Sequence, residues 1–214
     1  MVRALALSIA LLCLSACRSS EPQATTKPDS PVPLELSGTY VHEGSGIAFP
    51  AAAAGFVRVA PKRYDRDGKD VGIGYRRFWT DTAIFRAEAT IFVFPVPDGL
   101  ESSLDGEFER VVDAARKDKD EFREVRRAAT EGEHSRRSVS VRAAEFTFRG
   151  AEDKGGQAMV TIRASFLHSP WEVTYMLTVP QLRRDVCLAG FEELLRELDL
   201  PPTGLPVPVY TAAH

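Results

Sequence analysis

From Gly55 onward, apolar and polar residues alternate in short runs separated by turn residues, a period-two pattern that predicts β-strands. Phe56, Val57 and Val59 lead to Tyr64, a turn falls at Asp65-Arg66-Asp67-Gly68, and Val71, Ile73, Tyr75 and Phe78 follow, which together predict a hairpin. Residues 87–94 carry Ala89, Ile91 and Val93 on one face and Thr90, Phe92 and Phe94 on the other, so this strand is expected to be central and covered on both sides. Pro95 and Pro97 end it. Ser102 with Asp105 three residues later resembles a capping box, and Leu104, Phe108, Val111, Val112 and Ala115 recur on one face of the helix that follows. Residues 123–129, 138–148, 158–167 and 171–179 predict further strands, with turns at 150–156 and at His168-Ser169-Pro170. After Pro180 a last helix is expected to bury Cys187, Phe191, Leu194, Leu195 and Leu198 and to stop at Pro201-Pro202.

Strands, one helix, more strands and a closing helix define an α+β class: a largely antiparallel sheet flanked by helices. At least three strands follow one another without an intervening helix, which argues against a doubly wound parallel sheet.

The start of the chain has a different pattern. Arg3 is followed by a stretch from Ala4 to Leu12 that is apolar except for Ser8, then by Leu14-Ser15-Ala16-Cys17. A basic start, a short apolar core and small residues before a cut form a secretory signal. The stretch falls short of the ~20 residues that cross a bilayer as a helix. Leu14-Ser15-Ala16-Cys17 resembles the bacterial lipobox, in which the cysteine thiol takes a diacylglycerol, the preceding bond is cut and the new amino terminus is acylated, commonly with palmitate. Several acyl chains on Cys17 would give stable attachment. Arg18 follows, where an aspartate would resemble an inner-membrane retention signal, so the expected location is the outer membrane, facing the periplasm. Residues 1–16 are read as signal peptide, 17–36 as the lipidated Cys17 with a flexible Ser-, Thr- and Pro-rich tether, 37–202 as one domain and 203–214 as an irregular tail.

Within the domain, Gly55-Phe56, Tyr64-Asp65, the run from Gly68 through Val71-Gly72-Ile73-Gly74-Tyr75, the strand Ala89-Thr90-Ile91-Phe92-Val93-Phe94-Pro95 and the late strand Trp171-Glu172-Val173-Thr174-Tyr175 resemble the PsbP-like fold. That family includes photosystem II extrinsic proteins, a nuclear Ran-binding protein and many bacterial lipoproteins. The resemblance spans roughly residues 46–200 and implies an α/β/α sandwich with non-enzymatic binding or assembly roles. A photosystem role is not expected, because the lipobox points to a bacterial envelope.

Charge and chemistry narrow the picture further. The formal net charge is -3, from 27 basic and 30 acidic residues, and becomes -4 when Arg3 leaves with the signal. No nucleic-acid partner is expected at that balance. Of three cysteines, Cys13 leaves with the signal and Cys17 is consumed by lipid, so Cys187 remains as a buried structural thiol on a helix stripe. Asp65, Asp67 and Asp70 around Gly68 resemble part of a calcium loop, but Arg76 stands where the twelfth-position glutamate belongs and turn chemistry explains the run. His42, His134, His168 and His214 lack zinc-ligand spacing, and no nucleophile elbow, Walker loop or dinucleotide fingerprint is present. Neither a catalytic nor a metal nor a cofactor site is expected. Glu107, Glu109, Glu192 and Glu193 are read as solubilising charge.

Tyr64, Tyr75, Phe78, Trp79, Phe92, Phe94, Trp171 and Tyr175 are more aromatics than one core obviously needs, so some could line a groove. Three functions compete on this sequence. The foremost is a non-catalytic, lipid-anchored envelope module that binds a protein or supports assembly. The second is a carrier of a small apolar or lipid ligand in a sheet–helix cavity lined by Phe92, Phe94 and Phe108. The third is a hydrolase with a dispersed site, which requires Ser, His and Asp to converge.

Overall fold

The computed structural model describes residues 31–79, 85–96, 104–116, 121–150 and 156–207. The lipobox, Cys17, most of the expected tether, Ser102, Pro97 and His214 lie outside these residues. The described elements are β1 (Val32–Pro33), β2 (Tyr40–Val41), β3 (Ala48–Phe49), β4 (Ala52–Ala53), β5 (Phe56–Arg63), β6 (Val71–Trp79), β7 (Phe85–Pro95), α1 (Leu104–Arg116), β8 (Arg123–His134), β9 (Arg137–Arg149), β10 (Ala158–His168), β11 (Trp171–Pro180) and α2 (Arg184–Glu197).

One antiparallel sheet of nine strands dominates, in the order β1-β5-β6-β7-β11-β10-β9-β8 with β4 pairing β5 off that path, and β2 and β3 form a separate pair. The predicted first hairpin closes as β5–β6. Tyr64 N–H donates to the Asp70 carbonyl (2.7 Å), and the Asp65 carboxylate accepts from Lys69 N–H (2.9 Å). The aspartates of this loop are thus turn-formers. A bulge shifts the register between Val59 and Lys62, with Ala60 at φ 46°. Gly74 answers it: a Cβ there would lie 2.5 Å from the Val59 carbonyl oxygen.

Alternation divides the sheet into two faces. On one, Val71, Ile73 and Tyr75 of β6, Ala89, Ile91 and Val93 of β7, Val173, Tyr175 and Leu177 of β11, and Ile162, Ala164 and Phe166 of β10 are all buried. Helix α2 covers them with Cys187, Leu188, Phe191, Leu194 and Leu195. Burial pushes the Cys187 thiol up to about 12, so the thiolate that reacts is scarce at neutral pH. On the other face α1 packs mainly against β10 and β9, where Phe108 and Val112 meet Ala144 and Phe146.

The expected α/β/α sandwich is therefore incorrect: the fold is dominated by its sheet, with two α-helices among the described residues. Dimensions explain the difference. Eight strands spaced about 4.8 Å apart span about 34 Å, whereas a helix with its side chains is about 10 Å wide. A single helix per face leaves several strands without a helical cover. β7 does lie between β6 and β11, but among the described residues its second side is only partly covered, with Phe92 and Phe94 half-buried.

Two boundaries also shift. Val32 and Pro33, read as tether, pair with Arg63 and Lys62 of β5. Thr203 and Leu205, read as tail, are buried against the core.

Candidate functional site

The half-covered face can be read row by row from the register. Gly72 stands opposite Phe92, and Phe92 opposite Thr174; Gly74 stands opposite Thr90, and Thr90 opposite Met176; Arg76 stands opposite Glu88, and Glu88 opposite Thr178. On β5, Val59 stands opposite Gly74 and Val57 opposite Arg76. Phe78 follows two residues further along β6 on the same face.

At one end of this surface the Tyr64 and Phe92 rings tilt together over Gly72, with centroids 6.1 Å apart. A Cβ on Gly72 would approach those rings to 3.0–3.1 Å, so the glycine sets a shallow trough. At the other end Val57 and Phe78 are each 56% exposed. Arg76 pairs with Glu88 between the two ends (3.0 Å), and Arg86 reaches the same carboxylate (3.5 Å). The surface is thus apolar at both ends and crossed by a charged pair between them. Of the eight aromatics singled out in the sequence, Tyr75, Trp171 and Tyr175 are buried, Tyr64, Trp79, Phe92 and Phe94 are half-buried, and Phe78 is exposed.

Three histidines, scattered in sequence, gather at one corner of the fold. The His134 and His168 rings meet edge to face with centroids 4.5 Å apart, and His42 packs edge-on to Trp171 at 4.8 Å. Their nitrogens are committed to structure. His42 Nε2 donates to the Lys69 carbonyl (3.2 Å) while Nδ1 accepts from Ser45 N–H (3.1 Å), and His134 Nδ1 donates to the Asp199 carbonyl (2.6 Å). Among the described residues no cluster of His, Cys, Asp and Glu could hold a metal. Ser45 Oγ lies 2.9 Å from His42 Nδ1, but the pair closes a local turn and the ring is 1% exposed, so the contact has no substrate-facing side.

Burial lowers the affinity of His42 for a proton, and burial together with nearby His134 and Arg137 does the same for His168. A histidine held below its unfolded value near 6.5 favours the fold above that pH and opposes it below. Stability is therefore expected to fall as pH drops below about 6.5, levelling off below the folded-state values. Urea midpoints at pH 7.5 and 5.5 should differ less in a His42→Gln/His168→Gln double variant than in the wild type.

Among the described residues, the three phenylalanines expected to line an apolar cavity do not form one cluster. Phe92 and Phe94 are half-buried, whereas Phe108, on the same side of the sheet, is buried in the cluster of Val112, Ala144 and Phe146. Two surface hollows are lined mainly by polar and charged groups: one of about 270 Å³ includes Glu121, Arg123 and Arg149, and one of about 390 Å³ includes Arg126, Glu145 and Arg184.

Two carboxylates have roles that local sequence did not disclose. Glu145 on β9 points into the α2 face and takes a two-pronged pair from Arg184 at the start of α2 (2.7 and 3.1 Å). Glu192, expected to be solubilising, accepts from Thr203 N–H (3.1 Å) and from its hydroxyl, and burial raises its carboxyl above the usual range. The only local signal for either was a polar residue bordering an apolar stripe.

Comparison with known proteins adds little to this geometry. No protein-family model and no curated protein matches the chain. Among solved structures it is similar to the crystal structure of PA94 from Pseudomonas aeruginosa, a protein of unknown function, at 12% identity and a TM-score of 0.39, over 61% of this chain and 87% of that one. A likeness of that size assigns neither a family nor a role. Among the described residues, no helix is long and apolar enough to cross a membrane.

Proposed function

We propose that the chain is a non-catalytic, lipid-anchored protein of the bacterial envelope, tethered through Cys17 to the outer membrane and docking a periplasmic protein on the half-covered face of its sheet. The observation that carries this reading is the surface formed by Val57, Val59, Tyr64, Phe78, Phe92, Phe94 and Met176, which, among the described residues, stands outside the cluster that α1 forms with Ala144 and Phe146. A monomeric domain gains nothing by keeping two 56%-exposed apolar side chains diagonal to one another on a sheet, whereas a partner that removes them from water does. The binding or assembly roles implied by the resemblance to the PsbP-like family accord with this reading.

Crosslinking in intact envelopes followed by affinity recovery tests both halves of the proposal. The wild type should sediment with membranes and retain one stoichiometric protein, and Cys17→Ala should move the chain to the soluble fraction. A correctly localised wild type that retains no protein contradicts the docking role, and a Cys17→Ala chain that stays with membranes contradicts the anchor.

A further inference from the structure

The two edges of the main sheet are built differently. One ends in β1, two residues long and containing Pro33, beside the equally short β4. Short, proline-bearing strands are how sheets guard an edge against further pairing. The other edge is β8, twelve residues long, with no proline and no lysine. Along it, among the described residues, no strand pairs with the outer side.

Residues 201–204 of the described chain do not close this edge. A Cβ on Gly132 would lie 2.5 Å from Pro201 Cβ, and one on Gly204 would lie 2.6 Å from Thr130 Cγ2. Residues 201–204 therefore lie over the α2 face of β8 rather than beside it in the plane of the sheet.

The two halves of β8 differ in net charge. Arg123, Arg126 and Arg127 outnumber Glu124 in its first half, Glu131 and Glu133 carry its second, and Ala128, Ala129 and Thr130 stand between. Against a parallel copy these halves would repel. Against an antiparallel copy they attract twice.

We infer that β8 pairs antiparallel with β8 of a second copy of this chain, about a two-fold axis normal to the sheet, so that one sheet runs through both subunits. Side chains of an antiparallel pair must share a face, which restricts the register. Arg127, Ala129, Glu131 and Glu133 point to the α1 face, by their pairing with Ala144, Arg142, Ser140 and Ser138 of β9. Placing the axis at Ala129 sets Arg127 of each copy opposite Glu131 of the other and Ala128 opposite Thr130. The small side chains then meet at the centre, where two strands approach most closely. Arg127 already contacts Glu109 and Glu124, and Glu131 accepts from Ser140 (2.8 Å), so both are held on the correct face before pairing. The bulge between Glu124 and Arg126 ends the pairing segment, with Val125 left 53% exposed beside it. This surface is separate from the proposed docking face and does not depend on it.

Disulfide trapping of the full chain in intact cells tests the inference. In Ala129→Cys two thiols would face each other across the axis, with Cβ atoms about 4.5–5.5 Å apart. Mild oxidation should give a linked species of twice the chain mass, far faster than in a Val57→Cys control. Arg127→Glu or Glu131→Arg, added singly to Ala129→Cys, should cut its yield by about tenfold, because two attractive pairs become repulsive. Combining both reversals should restore it, which loss of folding would not. Linkage of Ala129→Cys no faster than the control, linkage to a different protein, or failure of the combined reversal to restore the yield would each overturn self-pairing in this register.

Discussion

A chain carrying Val57→Asp and Phe78→Asp should fold as the wild type does and lose its partner, with affinity lowered by about 100-fold or more. Both side chains are 56% exposed and neither belongs to a buried cluster, so their removal should change stability by no more than about 0.5 kcal/mol. In a complex the same positions are desolvated, and an aspartate buried there without a cation is strongly unfavourable. The nearest cations, Arg76 opposite Val57 and Arg86 opposite Phe78, already pair with Glu88. Thermal melting and affinity recovery on the same variant separate the two effects: an unchanged melt with lost recovery is the expected pair of results. Undiminished recovery would place the partner elsewhere on the molecule.

The largest effect on stability is expected at Arg184→Ala. Its guanidinium holds Glu145 by two contacts, and its third nitrogen binds Asp185 (2.8 Å) and the Pro206 carbonyl (2.9 Å). The pair is nearly dry, at 11% and 7% exposure for the two side chains. Truncating the arginine strands a buried carboxylate whose remaining cation, Arg126, lies 3.7 Å away on a largely solvent-facing side chain. Breaking such a pair costs about 3 kcal/mol, which lowers the melting temperature by roughly 6–12 °C in a domain of this size. Replacing both partners, as Glu145→Leu with Arg184→Met, should recover most of the loss, because the penalty comes from the unpaired charge rather than from absence of the bridge. Urea denaturation of the three variants distinguishes these cases. An Arg184→Ala chain as stable as the wild type would show that solvent reaches Glu145.

The strands and helices were legible where burial wrote a period into the sequence. The hairpin of β5 and β6, the apolar run of β7 and the Cys187–Leu198 stripe of α2 all show it. β8 was legible only over its first half, because residues 130–133 are polar and an edge strand need not bury a face. The sandwich was misjudged for a related reason. Apolar residues on both faces of residues 87–94 state that those faces avoid water, but not whether a helix of the same chain or another molecule covers them. The histidine corner and the Glu145–Arg184 pair join residues separated by tens of positions, and no local spacing announces such contacts. Glu192 is instructive: beside Glu193 it reads as a charged helix surface, yet one helical position of rotation turns it toward Thr203 and the core.

The most direct measurement is site-specific photocrosslinking in intact envelopes, with the reactive side chain placed at Val57, at Phe78 and, as a control on the far helix side, at Leu182, which is 97% exposed. The account predicts one common crosslinked protein from Val57 and Phe78 and none of it from Leu182. Equal products from all three positions, or no product from the first two, would contradict a docking role for the half-covered face.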